Sequence, residues 1–197
     1  MKTLLLTGFE PFLDFPINPT EKIVNELDGT VIAGFVVKGL LLPVEYESAG
    51  NRMLETIKQI NPDAVLSLGL AAGRAVITPE RVAINCRDGE PDNNGVVLQD
   101  APIIEDGPTG YFSTLPIRKF VNMLNERGLP AKISNTAGTY LCNNIMYLLL
   151  HELKERPTGF VHIPASHELV LYGKKEMPSW SQRDLLEAVK VMIEALD

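Results

Sequence analysis

Short apolar runs alternate with amphipathic segments along most of this chain, and this alternation restricts the possible fold more than any other feature. The predicted strands are residues 3–7, one or two strands within 31–43, and then 64–69, 132–135 and 159–164. The predicted helices begin near residues 19, 46, 116, 141 and 182. Strands separated by helices favour a layered α/β fold with a largely parallel sheet. In such sheets, sites collect at the carboxyl ends of the strands.

Local signals mark where helices begin and where the regular alternation stops. Asn18 occupies an N-cap position before Pro19, whose fixed φ and missing N–H suit the first helical position. Ser181, with Asp184 three residues later, predicts the start of the last helix in the same way. Residues 85–112 are rich in Gly, Pro, Asp and Asn, so we predict a long loop there with room for one short hairpin.

Length and composition predict a single soluble globular domain covering residues 1–197. Hydrophobic residues make up 45% of the chain, which is too many for a disordered protein. The formal net charge is -7 and no run of Lys and Arg is present, so neither nucleic acid nor an anionic membrane is an expected partner. The apolar run at residues 4–6 is too short for a signal peptide, and no stretch approaches the roughly 20 residues of a membrane span.

The chain has few residues that could form disulfides or bind metals. Its two cysteines, Cys86 and Cys142, are far apart and make no disulfide framework, which fits a reducing cytoplasm. The three histidines and two cysteines show no spacing suited to zinc. We therefore expect a cytoplasmic protein with free thiols and no metal site.

Cys142 lies where a predicted strand passes through a small-residue turn into a predicted helix. Unpaired N–H groups and the positive end of the helix dipole favour a thiolate in the first turn. The same N–H groups could stabilise an oxyanion that forms when the thiolate attacks a carbonyl. Cysteine is also a common small buried hydrophobe, so the position alone leaves a purely structural role equally open.

A thiolate nucleophile needs a base, and His162 has the most suitable position among the three histidines. It lies at the carboxyl end of a predicted strand, the sheet edge where Cys142 should also emerge. His151 is more than two turns along the helix from Cys142, and His167 fits a solvated loop. A histidine in an apolar strand is more often a hydrogen-bonded core residue, so that alternative also stays open.

A third group usually orients the base, and Glu80 is one candidate. It begins an apolar, strand-like run. It could also be a solvated strand end paired with Arg81. Spacing does not select Glu80 over the other carboxylates, so the residues by themselves indicate a Cys–His pair and no complete triad.

Four stretches around these candidates form an ordered set of motifs. They are residues 7–12 (TGFEPF) with Asn18-Pro19, residues 78–85 (TPERVAIN), residues 135–144 (NTAGTYLCNN) and residues 160–164 (FVHIP), with support from 91–93 and 115–117. In this order and spacing they resemble the pyroglutamyl peptidase I family, also called pyrrolidone-carboxylate peptidases. The resemblance covers about residues 3–164. Several ordered motifs are much more specific than any single tetrapeptide.

The resemblance implies Cys142 as the nucleophile, His162 as general base and then acid, and Glu80 as the residue that orients His162. It implies hydrolysis, through a thioester acyl-enzyme, of the amide bond after an N-terminal pyroglutamyl (5-oxoprolyl) residue in blocked peptides. It also implies a single-domain three-layer sandwich with helices on both faces of a mostly parallel sheet. No metal or organic cofactor is implied, and the expected assembly is a homotetramer or homodimer.

Pyroglutamate is a flat, neutral lactam, which requires an apolar slot with a few polar contacts. The predicted substrate-binding residues are Phe9, Phe12, Asn18, Leu70, Tyr140 and Leu141. Phe9 and Phe12 could form aromatic walls or could only anchor their loop in the core. Asn18 most simply caps its helix, with a second role near the substrate possible. Leu70 stands where many bacterial members carry Gln, so one polar contact to substrate could be absent.

Residues 87–93 form a segment one residue shorter than the usual family form, in which an Arg stands close to the Pro-Asp-Asn. This difference leaves open a cysteine amidase or deamidase acting on a related small cyclic or N-acyl amide. A catalytically silent ligand-binding relative is a third possibility, although the intact trio of Glu80, Cys142 and His162 argues against it. Gly69-x-x-x-Gly73 is too weak a pattern for a phosphate loop, and Arg74 receives no role.

Overall fold

The computed structural model describes residues 1–13, 15–172 and 176–197. Its strands are β1 (Lys2–Phe9), β2 (Val31–Ile32), β3 (Phe35–Leu42), β4 (Ala64–Leu70), β5 (Thr78–Pro79), β6 (Val82–Ile84), β7 (Gly110–Phe112), β8 (Thr158–Ile163), β9 (Ala165–Ser166) and β10 (Ser179–Trp180). Its helices are α1 (Pro19–Leu27), α2 (Tyr46–Ile60), α3 (Ile117–Glu126), α4 (Leu141–Glu152), α5 (His167–Tyr172) and α6 (Gln182–Glu194).

The central sheet has six strands in the order β2-β3-β1-β4-β8-β5. The four inner strands run parallel, and the edge strands β2 and β5 pair antiparallel with their neighbours. Strands β1, β4 and β8 are almost entirely buried, as expected for a parallel sheet covered on both faces, whereas β3 is only partly buried. The predicted α/β class with a mostly parallel sheet is therefore confirmed.

Helices cover both faces of the sheet because successive strand side chains point in opposite directions. Leu4 and Leu6 pack into one hydrophobic cluster with α1, α3 and α6. Leu5, between them, packs into a second cluster with α2 and α4. Phe160 and His162 of β8 alternate with Val161 in the same way, which directs His162 to the α4 side of the sheet. The molecule is thus the three-layer sandwich that the resemblance implied.

Both predicted helix caps are present. The Asn18 side-chain oxygen accepts a hydrogen bond from the Thr20 N–H at 3.1 Å, and the Ser181 hydroxyl oxygen accepts one from the Asp184 N–H at 3.1 Å. Each cap satisfies a backbone donor that has no partner within its own helix. The predicted start of α4 is also confirmed, but this helix ends at Glu152, earlier than the Pro157 suggested by its periodicity.

The predicted strand at residues 132–135 is wrong. Only two isolated bridges occur there, Ala131 with Ile77 and Ser134 with Glu80. Hydrogen bonds from the Lys132 N–H to the Ile77 carbonyl and from the Ser134 N–H to the Pro79 carbonyl begin a parallel ladder. Pro79 has no N–H to donate back, so the ladder loses its middle hydrogen bond and does not become a strand.

Residues 85–109 form the long loop that composition indicated, and in place of a short hairpin this loop holds a single antiparallel bridge between Arg87 and Ala101. Strands β6 and β7, which pair antiparallel, instead enclose the loop. Inside it, the Asn85 side-chain oxygen accepts from the Ile103 and Ile104 N–H groups at 2.7 and 3.0 Å. His167 also differs from expectation because it begins α5 and does not lie in a loop. None of the helices in the described ranges is both long and apolar enough to cross a membrane.

Candidate active site

A small cavity of about 180 Å³ opens at the carboxyl ends of β1, β4 and β8. Its lining consists of Phe9, Phe12, Asn18, Val44, Leu70, Ala137, Tyr140, Leu141, Cys142 and His162. All six predicted substrate-binding residues are in this set, together with the candidate thiol and the candidate base. The structure therefore brings together residues from three of the four sequence motifs, with Val44 and Leu70 from outside the motifs as additional wall residues.

His162 and Glu80 form a buried hydrogen-bonded pair. Antiparallel pairing of β5 with β8 places Thr78 opposite His162, and Glu80 follows directly after β5. The His162 Nδ1 atom lies 2.7 Å from the Glu80 Oε1 atom. Because a carboxylate can only accept, Nδ1 carries the proton and Nε2 keeps its lone pair. Glu80 is completely buried, so its interpretation as a solvated strand end paired with Arg81 is wrong.

The electrostatic environment keeps Glu80 ionised and His162 neutral. Burial by itself raises the pKa of Glu80, but the hydrogen bond from His162, the charge that His162 carries when protonated, and further help from Ser134 and Arg74 bring the pKa below its usual range. Burial lowers the pKa of His162, although the hydrogen bond from Nδ1 to Glu80 and the charge of Glu80 act in the opposite direction. A neutral imidazole beside a carboxylate is the form that can accept a proton at Nε2.

Cys142 is the second residue of α4, as predicted. The helix start has no side-chain cap, so the first backbone N–H groups remain available to a ligand. Burial raises the pKa of Cys142 to about 12, and the negative charge of Glu80 acts in the same direction. The resting group is therefore a thiol, contrary to the thiolate that the helix dipole alone favours. The described residues form no hydrogen bond between Cys142 and His162, although both side chains line the same cavity.

Gly69 makes room for the thiol, and sequence reasoning missed this role. Gly69 pairs with His162 in the β4–β8 register. A Cβ atom at position 69 would lie 2.7 Å from two ring carbons of Phe160 and 3.0 Å from the Cys142 Sγ atom. Contacts this short do not occur between real side chains, so only glycine fits without displacement of its neighbours. In the sequence, the signal for this role was a glycine near the end of a predicted strand, where a close contact with a neighbouring side chain can require the absence of a Cβ atom.

Arg74 is the second residue that sequence reasoning left without a role. Its Nη1 atom lies 2.7 Å from the Glu80 Oε1 atom and 2.6 Å from the Thr78 hydroxyl oxygen. A buried carboxylate needs a compensating charge, and this requirement was the signal that could have identified Arg74. The guanidinium does not line the small cavity.

The walls of the cavity are apolar and anchored from behind. Phe9 is buried, and its ring centroid lies 6.4 Å from that of Phe160. Phe12 packs against Phe15, with centroids 5.6 Å apart, so both phenylalanines anchor the structure and line the cavity. Asn18 likewise occupies both of the places that the sequence allowed for it, since it caps α1 and also lines the cavity.

The segment 87–93 connects two sides of the cavity. The Tyr140 hydroxyl donates to the Pro91 carbonyl at 3.0 Å, and the Asn93 side-chain amide donates to the Pro11 carbonyl at 3.3 Å. Arg87 points elsewhere, with its Nε donating to the Asn144 side-chain oxygen at 2.8 Å. The segment 87–93 therefore braces the cavity rim, and Arg87 does not line the cavity.

The remaining histidines and cysteine lie outside the cavity. The His151 Nδ1 atom lies 2.8 Å from the Tyr111 hydroxyl, and the His167 Nδ1 atom lies 2.9 Å from the Ser179 hydroxyl. The carbonyl of Cys86 accepts from the Asn143 side-chain amide at 3.0 Å. Within the described ranges, no group of three or more His, Cys, Asp or Glu residues is arranged to hold a metal ion.

Comparison with known proteins agrees with this arrangement. A family model described as pyroglutamyl peptidase matches residues 1–197. Pyrrolidone-carboxylate peptidase from Oceanobacillus iheyensis is 53% identical over all of both chains. A mutant pyrrolidone carboxyl peptidase from Pyrococcus furiosus superposes with a TM-score of 0.94 at 46% identity, covering 98% of this chain and 97% of that one. The enzyme from Thermococcus litoralis superposes at 0.96 with 37% identity, covering 100% and 93%. The chain belongs to the pyroglutamyl peptidase family.

Proposed function

We propose that this protein hydrolyses the amide bond after an N-terminal pyroglutamyl residue of blocked peptides, with Cys142 as nucleophile and His162 as general base and acid. Glu80 is the proposed positioning residue for His162. The observation that carries the proposal is the composition of the small cavity. Its lining contains one thiol, one imidazole that is hydrogen-bonded to a carboxylate, and the six predicted substrate-binding residues.

The proposed reaction proceeds in two acyl-transfer steps. The Cys142 Sγ attacks the pyroglutamyl carbonyl while its proton passes to the His162 Nε2. His162 returns this proton to the leaving amine nitrogen as the C–N bond breaks, which leaves a thioester. Water then gives a proton to Nε2 and attacks the thioester, and that proton goes back to Sγ as free pyroglutamate departs. Because both groups rest in their neutral forms, thiol deprotonation accompanies attack instead of preceding it.

The start of α4 provides the proposed oxyanion site. The backbone N–H groups of Leu141 and Cys142 belong to the first helical turn, which has no side-chain cap. Their dipoles are fixed before the reaction begins, so they can stabilise the charge that develops on the attacked carbonyl oxygen.

The chemistry of the cavity suits a neutral lactam. With His162 neutral, no side chain in its lining carries a formal charge, so a free N-terminal ammonium would lack a counter-ion. The Asn18 amide nitrogen donates one hydrogen to the Glu10 carbonyl, and its second hydrogen is available to a lactam oxygen. Leu70 contributes an apolar part of the cavity wall.

The test compares hydrolysis of pyroglutamyl, prolyl and acetyl-alanyl amides of one chromogenic amine. We expect turnover of the pyroglutamyl amide alone. Comparable turnover of the acetyl-alanyl amide would instead support the cysteine amidase alternative, which the shortened segment 87–93 kept open. Binding of pyroglutamate without any hydrolysis would support the silent ligand-binding relative.

We further propose that residues 1–197 work as one peptidase domain in the cytoplasm, as a homotetramer or homodimer. The two free cysteines, Cys86 and Cys142, support a reducing compartment, since Cys142 must stay reduced to react. Light scattering on the purified protein measures its assembly, and a monomeric mass at micromolar concentration would contradict that part of the proposal.

A further inference from the structure

Arg74 and His162 contact the same oxygen of Glu80. The Arg74 Nη1 atom and the His162 Nδ1 atom each lie 2.7 Å from Oε1. In the described part of the chain, the other oxygen, Oε2, is buried without any hydrogen-bond partner. With His162 neutral, the guanidinium is the cationic contact of Glu80, and the donors of Arg74 and His162 meet at one oxygen of its carboxylate. Ser134, which bridges to Glu80, also helps to lower its pKa.

Arg74 reaches Glu80 from a different side of the molecule than the substrate would. A second cavity of about 530 Å³ is lined by Arg74 together with Lys132 and Ser134, and shares no lining residue with the Cys142 cavity. The Arg74 side chain is 34% exposed, whereas the Glu80 side chain is 0% exposed. Arg74 is thus accessible to solvent from a cavity that is separate from the one beside Cys142.

The charge of Arg74 determines which hydrogen bond Glu80 can make. A fully buried carboxylate beside a neutral imidazole would gain a proton if its cationic partner were removed. Protonated Glu80 would donate to His162 Nδ1, which would move the imidazole proton to Nε2. A proton on Nε2 would prevent His162 from accepting one from Cys142. The titratable or charged groups that act on Glu80 and its partners are Arg74, His162 and Cys142.

We propose that Arg74 is a positioning residue that holds Glu80 in its ionised form and thereby keeps the lone pair of His162 Nε2 directed at the Cys142 cavity. This inference rests on the proposed function, since His162 must accept a proton for the reaction to start. Arg74 acts through Glu80 and touches neither substrate nor reacting atoms.

The kinetic test replaces Arg74 with Met, which keeps an aliphatic side chain and removes the charge. We expect kcat for the pyroglutamyl amide to fall by about 100-fold or more, because a catalytic imidazole in the wrong tautomer can cost about 10⁴ in kcat. KM should change by less than about threefold, since Arg74 is outside the substrate cavity. Arg74→Lys should retain more activity. Lys132→Met is the matched control, because it removes a charge from the same outer cavity and should leave kcat unchanged.

A second readout is independent of turnover. The ¹⁵N chemical shifts of the imidazole report the tautomer directly, and the chain has only three histidines to assign. We expect His162 to be protonated at Nδ1 in the wild type and at Nε2 in Arg74→Met. In Arg74→Ala, guanidinium ions entering through the outer cavity should restore both kcat and the wild-type tautomer.

The outcomes separate this inference from the proposed function. An inactive wild type with the Nδ1 tautomer would contradict the proposed function and leave the role of Arg74 intact. An active wild type whose Arg74→Met variant keeps its kcat and its Nδ1 tautomer would overturn the inference alone. A folded Arg74→Met variant that loses kcat without any change of tautomer would also overturn it.

Discussion

The regions around Cys142 and Cys86 show what separates a reactive thiol from an inert one. Both cysteines are free, and both are partly exposed. Cys142 lies at a helix start, in a cavity that also holds His162. Cys86 lies in the long loop, where burial and the charges of Asp100 and Asp88 raise its pKa and no histidine is among the groups that affect it.

A depressed thiol pKa in the free protein does not distinguish Cys142 from Cys86. Burial raises the pKa of both thiols, and that of Cys142 reaches about 12. The difference lies in the neighbouring base, because only the Cys142 cavity contains an imidazole whose Nδ1 is held by a carboxylate. Cys142 therefore needs proton transfer to His162 during the reaction, and Cys86 has no comparable acceptor.

The largest expected effect comes from removing each thiol in turn. Cys142→Ala should lower kcat for a pyroglutamyl amide by at least about 10⁴-fold, since removal of a nucleophile costs several powers of ten. Cys86→Ala should retain kcat and KM within roughly twofold. Steady-state kinetics on variants with wild-type circular dichroism provide the measurement. Near-normal turnover by Cys142→Ala, or a comparable loss in Cys86→Ala, would show that the wrong cysteine has been chosen.

The second largest expected effect is the pH dependence of Cys142 alkylation, which reports the resting protonation state of this thiol. With its pKa near 12, the thiolate fraction should rise about tenfold for each pH unit between pH 7 and pH 9. The rate of alkylation by iodoacetamide in Cys86→Ala should therefore rise roughly 100-fold over that range without reaching a plateau. Mass spectrometry of the alkylated protein gives the rate, and the Cys86 thiol in Cys142→Ala is the reference. A rate independent of pH would indicate a preformed thiolate–imidazolium pair instead.

The smallest effect tests the space that Gly69 leaves for the thiol. In Gly69→Ala the new Cβ would meet the Phe160 ring and the Cys142 Sγ, so we expect a loss of about 1–3 kcal/mol in unfolding free energy, as is typical of overpacking. The displaced thiol should lower kcat/KM by about tenfold. Gly50→Ala, in α2, is the control, because its Cβ would meet only the terminal Cδ1 atom of the Leu148 side chain at 3.0 Å, and neither residue lines the Cys142 cavity. Chemical denaturation and kinetics measure both variants, and equal effects would refute the steric argument.

Local signals predicted much of the fold because they act over a few residues. The cap at Asn18, the cap at Ser181 and the start of α4 all follow from backbone N–H groups that need partners nearby. The predicted strand at 132–135 failed because its pairing depends on Pro79, about fifty residues away, which cannot donate the middle hydrogen bond. Two-residue strands such as β5 have no periodicity to recognise and are defined only by their partners.

The sequence by itself determined the α/β layering, the helix-start position of Cys142 and, through ordered motifs, the family. The motifs also pointed to Glu80, but only the tertiary structure showed its contact with His162 and selected Arg74 from the many charged residues of the chain. That contact depends on β5 pairing with β8, which brings Glu80 within 2.7 Å of a histidine that lies 82 residues away in the sequence. Burial, which decides the charge state of Cys142, likewise arises only when the sheet and α4 pack together, because the solvation of a group depends on all of its neighbours.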